Sequence, residues 1–183
     1  MPLPVFTLGH STRSLEDFLT LPTEHDIELL ADVRRYPGSR RFPHFHRDAL
    51  AAGLNAAGIA YRHLPGLGGH RTPRPGSPHS YWTDAGFRAY ADHMETAEFG
   101  ETFAELLDLA SEQTTALMCA EADPRRCHRQ LVADALVARG LRVVHILAPG
   151  RSEDHALNPA ARVLPDGRLI YDGGAGQQAE LFT

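Results

Sequence analysis

Short apolar runs alternate along this chain with stretches of helical spacing. The runs at 5–8, 27–33, 59–63, 115–119 and 142–147 predict strands. Helices are predicted over 14–21, 48–57, 84–96, 99–111 and 124–139. The first of these has Ser14 as N-cap and Asp17 at its third helical position, and the last is stopped by Gly140. A hairpin is predicted from 162–164 and 168–171, folded about Pro165, Asp166 and Gly167. Strands spaced by helices indicate an α/β protein. The expected form is a single open three-layer domain, with a mainly parallel sheet of about five strands, helices on both faces, and a C-terminal hairpin and tail. The domain is assigned to 1–172 and the tail to 173–183.

Length and composition narrow the class further. The 183 residues, 43% hydrophobic and 22% charged, suit one globular domain with a sizeable core. No apolar run approaches the roughly 18 residues of a membrane span. The opening Met1 to Gly9 reads as a first strand and not as a secretory signal, since no basic region precedes its short apolar run. Two cysteines cannot frame a disulfide scaffold, which points to a cytoplasmic protein with usable thiols.

The formal net charge of −5 would discourage a nucleic-acid partner, but its distribution does not. All 18 basic residues are arginine. Between Val33 and Trp82 stand eight of them, against Asp48 as the single acid, interleaved with Tyr36, Phe42, Phe45, Tyr61, Tyr81 and Trp82. Guanidinium groups beside rings suit a polyphosphate that carries stackable bases. The alternative is an arginine-rich surface that balances acidic helices elsewhere in the domain.

Ligands of open parallel sheets bind beyond the carboxyl ends of the strands. There the sequence places His10 and Ser11, then Asp32, Arg34 and Arg35, then Gly68, Gly69 and Arg71, then Cys119 and Glu121. With Asp123 as cap and Pro124 in the first turn, a helix start would bring Cys127 and His128 close to the positive end of a helix dipole, beside Arg129. Three readings of the thiols stay open. Cys119 is a nucleophile with Glu121 or His128 as base or acid; or Cys119, Cys127 and His128 hold zinc or iron; or the thiols are buried packing. The spacing from Cys119 to Arg125 matches cysteine phosphatases, but Glu121 and Asp123 put carboxylates where a phosphate would lie. Asp32 is either a general acid or base, or the group that orients Arg34; His10 is a proton carrier or simply hydrogen-bonded. The long segment from Gly66 to Trp82 reads as a lid over a phosphate-bearing substrate or as a surface loop.

Four motifs together resemble the domain-of-unknown-function family 488: Thr7-Leu-Gly-His-Ser-Thr12, Asp32-Val-Arg-Arg-Tyr-Pro37, Leu64-Pro-Gly-Leu-Gly-Gly69, and the block from Met118 to Arg129. The resemblance spans most of the chain and implies an α/β fold, without supplying a reaction.

The last residues carry one more motif. Gln178, an acid at Glu180, Leu181 and Phe182 resemble the peptide by which bacterial replication and repair proteins dock on the DNA sliding clamp. Leu181 and Phe182 would fill a pocket and Gln178 would hydrogen-bond; the alternative is a clasp folded back on the domain. The expected function is an enzyme of DNA maintenance. It would act on nucleic acid or a nucleotide by hydrolysis or transfer at a glycosidic or phosphate-ester bond, recruited to the clamp by its tail. Catalysis is assigned to Cys119, Asp32, Glu121, His128 and His10. Substrate binding is assigned to Ser11, Arg34, Arg35, Gly68, Gly69, Arg71, Cys127 and Arg129. The alternatives are a non-catalytic nucleic-acid adaptor and a thiol-based metal or redox protein.

Overall fold

The structure, a computed structural model, describes residues 1–173. The tail residues Gln178, Leu181 and Phe182 therefore lie outside the described residues. Six strands form the main sheet in the order β3-β2-β4-β1-β5-β6. They are β1 (Val5–Gly9), β2 (Leu29–Asp32), β3 (Ala60–His63), β4 (Thr115–Cys119), β5 (Val143–Ala148) and β6 (Arg151–Asp154). The first five run parallel; β6 returns antiparallel along β5 after a turn with Gly150 at φ +69°. A separate hairpin pairs β7 (Ala161–Val163) with β8 (Leu169–Tyr171), with Gly167 at φ +86° in its turn. The three-layer α/β architecture is thus as the apolar pattern predicts, with one strand more. Sequence missed β6 because its four residues are polar and exposed, so no buried alternation marks them.

Side-chain alternation along the strands divides the core into two layers. Phe6, Leu8, Leu30, Ala116 and Met118 face α1 (Leu15–Glu24) and α2 (Arg47–Ala56), which contribute Phe18, Leu21, Leu50 and Leu54. Val5, Ala31, Leu117 and Cys119 face the other way. That layer is covered by α3 (Ala85–His93), α4 (Ala97–Glu112) and α5 (Arg129–Ala138), with Tyr90, Phe103 and Leu131 at its centre. The Ser14 cap is present as predicted, and two further caps are seen. Ser14 accepts from the amide of Asp17, Asp84 from Phe87, and Thr96 from Phe99. Helix α1 runs past its predicted end to Glu24 and carries Pro22 in its last turn, forgoing the amide bond to the Phe18 carbonyl.

The fourth connection needs correcting. The single helix predicted over 124–139 is two pieces. Asp123 caps only one 3-10 turn, Pro124–Arg126; Cys127 is extended, and α5 begins at Arg129. Turning the chain inward at Cys127 buries its sulfur and admits the Arg129 side chain, which is fully buried.

Strand order fixes where a site belongs. From β1 the chain moves through α1 and α2 toward β3; from β4 it moves through α5 toward β5. Neighbouring strands β1 and β4 therefore send their connections in opposite directions, which opens a crevice beyond their carboxyl ends. The two loops there touch: the amides of His10 and Ser11 donate to the carbonyls of Cys119 and Ala120 at 2.9 and 2.8 Å. A Cβ on Gly9 would fall 1.7 Å from the Glu121 carbonyl oxygen.

Candidate active site

A cleft of about 790 Å³ opens beside this crevice. Its walls come from the loops after β2, β3 and β4, the turn before α5, and the start of α3. Five arginines line it, Arg34, Arg35, Arg71, Arg125 and Arg126, against the carboxylates of Asp84 and Glu121. Arg34, Arg71 and Arg125 pair with Asp32, Glu98 and Asp123, while Arg35 and Arg126, in no ion pair among the described residues, offer charge to an anion. Cys119, Cys127, His128, Glu121 and Gly69 line it too; Asp32, His10, Ser11, Gly68 and Arg129 do not.

The thiols and one imidazole converge. Ligand-type atoms of Cys119, Cys127 and His128 all lie within 4.8 Å of one another. His128 Nε2 donates to the Val33 carbonyl at 3.1 Å, so in the neutral ring Nδ1 carries the lone pair; it faces Cys127 Sγ at 3.7 Å. The backbone amide of Arg129 points at the same sulfur, 3.4 Å away, at the start of α5. The sequence expected the helix dipole to reach this thiol, and it does so from α5 instead of from the turn at Pro124.

The two sulfurs differ in charge state. Cys119 donates its S–H to Cys127, and that bond with burial pushes its thiol well above the usual range. Burial alone would raise Cys127 as well. The donated S–H, the Arg129 charge and the Arg129 amide outweigh it and bring Cys127 down to about 7. The Arg129 amide and His128 Nδ1 both face Cys127, which makes it the better-placed sulfur for a thiolate. Burial keeps His128 below the ordinary imidazole range.

Asp32 is a positioning group. It is fully buried, and Arg34 grips it with Nε at 2.9 Å, Nη2 at 2.8 Å and its own amide at 3.1 Å. Tyr61 adds its hydroxyl at 2.5 Å. With its lone pairs committed, Asp32 holds one guanidinium rigid toward the cleft, which favours the orienting role over acid or base work. His10 sits behind that arginine. Its Nδ1 donates to the Ser11 carbonyl at 2.9 Å, its Nε2 lies 3.5 Å from Arg34 Nη1, and its ring stacks on Phe45. The proton-carrier role expected of His10 gives way to support of Arg34. Ser11 takes the left-handed turn at φ 50°, outside the cleft wall.

Burial pushes the His10 imidazole down to about 4, against an Arg34 charge that also lowers it and the Ser11 and Asp32 oxygens that raise it. The unfolded chain, at the ordinary 6.5, takes up this proton first. Stability present above pH 6.5 is thus lost as pH falls toward 4, by about 3 kcal/mol for this residue. Urea unfolding at several pH values checks this: a His10→Gln variant is expected to lose less stability on acidification than the wild type does.

The glycine-rich loop is shaped by close approach. A Cβ on Gly68 would lie 2.5 Å from the Arg35 amide nitrogen, and one on Gly69 would lie 3.0 Å from His128 Nδ1. Arg71 spends its donors on the Gly68 and Pro65 carbonyls and on Glu98, so it stiffens this loop while edging the cleft. Arg35 similarly donates to the His70 carbonyl and lies over the Tyr36 ring. The lid reading of the following segment is corrected. Arg74 pairs with Asp92 and Glu95, Ser77 bonds Asp92, and the buried His79 accepts from the Tyr171 amide, so the segment is strapped to α3 and β8.

Two clusters have the donor types of a metal centre among the described residues. Cys119, Cys127 and His128 suit zinc or iron: two sulfurs, and a ring nitrogen whose partner nitrogen is tied to a carbonyl. The second, His79 with Asp92 and Glu95, does not. His79 Nδ1 accepts an amide, so Nε2 bears the proton toward Glu95, and Arg74 pairs with both carboxylates.

The phosphatase-like spacing is no phosphate loop. The Glu121 and Ala122 carbonyls both turn onto the Arg129 guanidinium, which also meets Cys119 Sγ at 3.8 Å and Thr7 Oγ1 at 3.1 Å. Arg129, expected to bind substrate, lies instead beneath the floor. Glu121 itself stays exposed at the rim. The family described as Domain of unknown function DUF488 matches residues 14–136, about two thirds of the chain. The chain belongs to this family. The DUF488 span contains both thiols, His128, Asp32, Arg34 and the glycine-rich loop, and leaves out β1, β5 and β6. No curated protein and no solved structure matches the chain. No helix among the described residues is long and apolar enough to cross a membrane.

Sequence reasoning missed Tyr90, Phe87, His70, Arg125 and Arg126 in the cleft wall. The two arginines had a signal in their place beside Cys127. Tyr90 and Phe87 read as core residues of a helix, and nothing local distinguishes them.

Proposed function

We propose that this chain is a thiol-dependent hydrolase or transferase of DNA maintenance, acting on a nucleotide or nucleic-acid substrate at a phosphate-ester or glycosidic bond. One observation carries the reading: the Cys127 sulfur lies 3.7 Å from His128 Nδ1 at the base of a cleft lined by five arginines. Arg34, Arg35, Arg125 and Arg126 hold the substrate's phosphate, and the exposed ring of Tyr36 offers a face for a base. The Cys127 thiolate attacks phosphorus or the anomeric carbon, and the leaving atom departs with the bond pair. His128, having taken a proton on Nδ1, returns it to that atom. Water, deprotonated at the same nitrogen, then releases the substrate fragment from sulfur and restores the thiolate. Glu121 at the rim stands as the acid for bulkier leaving groups. Docking on the sliding clamp through Gln178, Leu181 and Phe182 belongs to the same proposal and rests on sequence alone.

Site-resolved alkylation tests it. Near neutral pH, iodoacetamide is expected to label Cys127 at least about tenfold faster than Cys119, and a short single-stranded oligonucleotide is expected to slow that labelling. Mass spectrometry of tryptic peptides reads both. Equal labelling, or no protection by oligonucleotide or mononucleotides, would overturn the reading. Salt-sensitive DNA binding that survives loss of both cysteines would favour the adaptor. The second reading, a metal or redox thiol centre, draws on the convergence of Cys119, Cys127 and His128. Stoichiometric zinc or iron in the purified protein, lost in Cys119→Ser, would favour it.

A further inference from the structure

Arg129 poses an electrostatic question. Its guanidinium is fully buried, yet its four acceptors, Thr7 Oγ1, Cys119 Sγ and the carbonyls of Glu121 and Ala122, are all neutral groups. A buried cation needs a counter-charge. The Cys127 thiolate beside it is one; the hydrogen bonds lead to a second.

Thr7 Oγ1 accepts from Arg129 Nε and lies 2.6 Å from His145 Nδ1, to which its hydroxyl donates when that ring nitrogen is bare. That leaves the neutral His145 ring with its proton on Nε2, which meets His155 Nδ1 at 2.9 Å. His155 in turn carries its proton on Nε2 and donates to Asp134 Oδ1 at 2.7 Å. Asp134 is buried, takes the Asn158 amide on the same oxygen and receives the Tyr171 hydroxyl on the other. Every donor along this path points from the guanidinium toward the carboxylate. Thr7 and His145 are register partners on neighbouring strands, and Arg129 and Asp134 share α5.

We propose that Thr7, His145, His155 and Asp134 are positioning residues for the thiol site, a directional hydrogen-bond chain that fixes Arg129 beneath Cys119 and Cys127. The alignment lets each dipole stabilise the next and both end charges at once. Its effect on the site is rigidity: the guanidinium is held at one place against Cys119 Sγ and the 121–122 carbonyls, as a carboxylate bonded behind a ligating histidine holds its ring. This deepens the function proposed above and rests on Cys127 being the reactive sulfur.

Thr7→Val tests it, because valine keeps the shape and removes the hydroxyl. The rate of Cys127 alkylation by iodoacetamide at fixed neutral pH is expected to fall about five- to tenfold, with Thr7→Ser restoring it to within about twofold. Imidazole nitrogen NMR of the wild-type protein is expected to find His145 and His155 both neutral with the proton on Nε2. A folded Thr7→Val that reacts at the wild-type rate would overturn the proposal. So would a proton on Nδ1 of either ring, a measurement that stands even if the variant fails to fold. An unreactive Cys127 in the wild type would instead sink the catalytic reading, leaving the ring tautomers to decide the chain.

Discussion

Replacing Cys127 with serine is expected to lower turnover about 10⁴-fold or more while leaving the fold intact. A hydroxyl has neither the acidity nor the nucleophilicity of this thiol, which the Cys119 S–H and Arg129 bring down to about 7 against its burial. Screening the pure protein against nitrophenyl phosphates, nucleotides and oligonucleotides supplies the substrate for the comparison. Cys119→Ala should behave differently. It removes the S–H donated to Cys127 and is expected to cost about tenfold, the equivalent of one pH unit in thiolate stability. Wild-type turnover by Cys127→Ser would remove the nucleophile assignment. A collapse of both variants to the same floor would mean that the sulfurs act as a unit, as a metal centre or a redox pair requires.

Arg129→Met should produce the largest loss of stability, about 3–5 kcal/mol. The substitution fills much of the volume but strands Thr7 Oγ1 and the carbonyls of Glu121 and Ala122, each buried or half-buried and each left with nothing to accept. It also leaves Asp134 as a buried carboxylate without its distant cation. In urea the midpoint should fall by about 2 M. Arg129→Lys is expected to recover only part of this, because one ammonium cannot reach the hydroxyl and both carbonyls as a planar fork does. A midpoint within error of the wild type for Arg129→Met would show that the guanidinium contributes little to holding the loop after β4.

Much of the architecture is readable from the chain because parallel strands buried on both faces leave apolar runs such as Leu29–Asp32 and Thr115–Cys119 that nothing else explains. Sequence fails where burial pattern is absent, as in the polar edge strand β6, or where a side chain's destination bends the backbone. Nothing in Asp123-Pro124 reveals that the helix must break at Cys127; the break follows from where the Arg129 guanidinium goes. The site was legible to the level of its address. Strand ends located Arg34, Cys119 and Glu121 at one rim, and the helix start at Asp123 and Pro124 located Cys127 and His128. The division of labour was not. Asp32 reads as acid or anchor until the hydroxyl of Tyr61, 29 residues away, is seen to take the remaining lone pair of an oxygen that Arg34 already grips. Thr7 and His145 are 138 residues apart and carry no local mark at all.

The position of β1 has a practical consequence. It lies in the interior of the sheet, between β4 and β5, yet it precedes residue 14, where the family match begins. A fragment trimmed to the shared span would be an unzipped half-sheet, with β4 presenting a raw, flat, apolar border of unpaired amides and carbonyls. Such borders recruit strands from other copies. The homologous span and the foldable unit are therefore different objects in this protein, and the flanking segments are structural members of the domain.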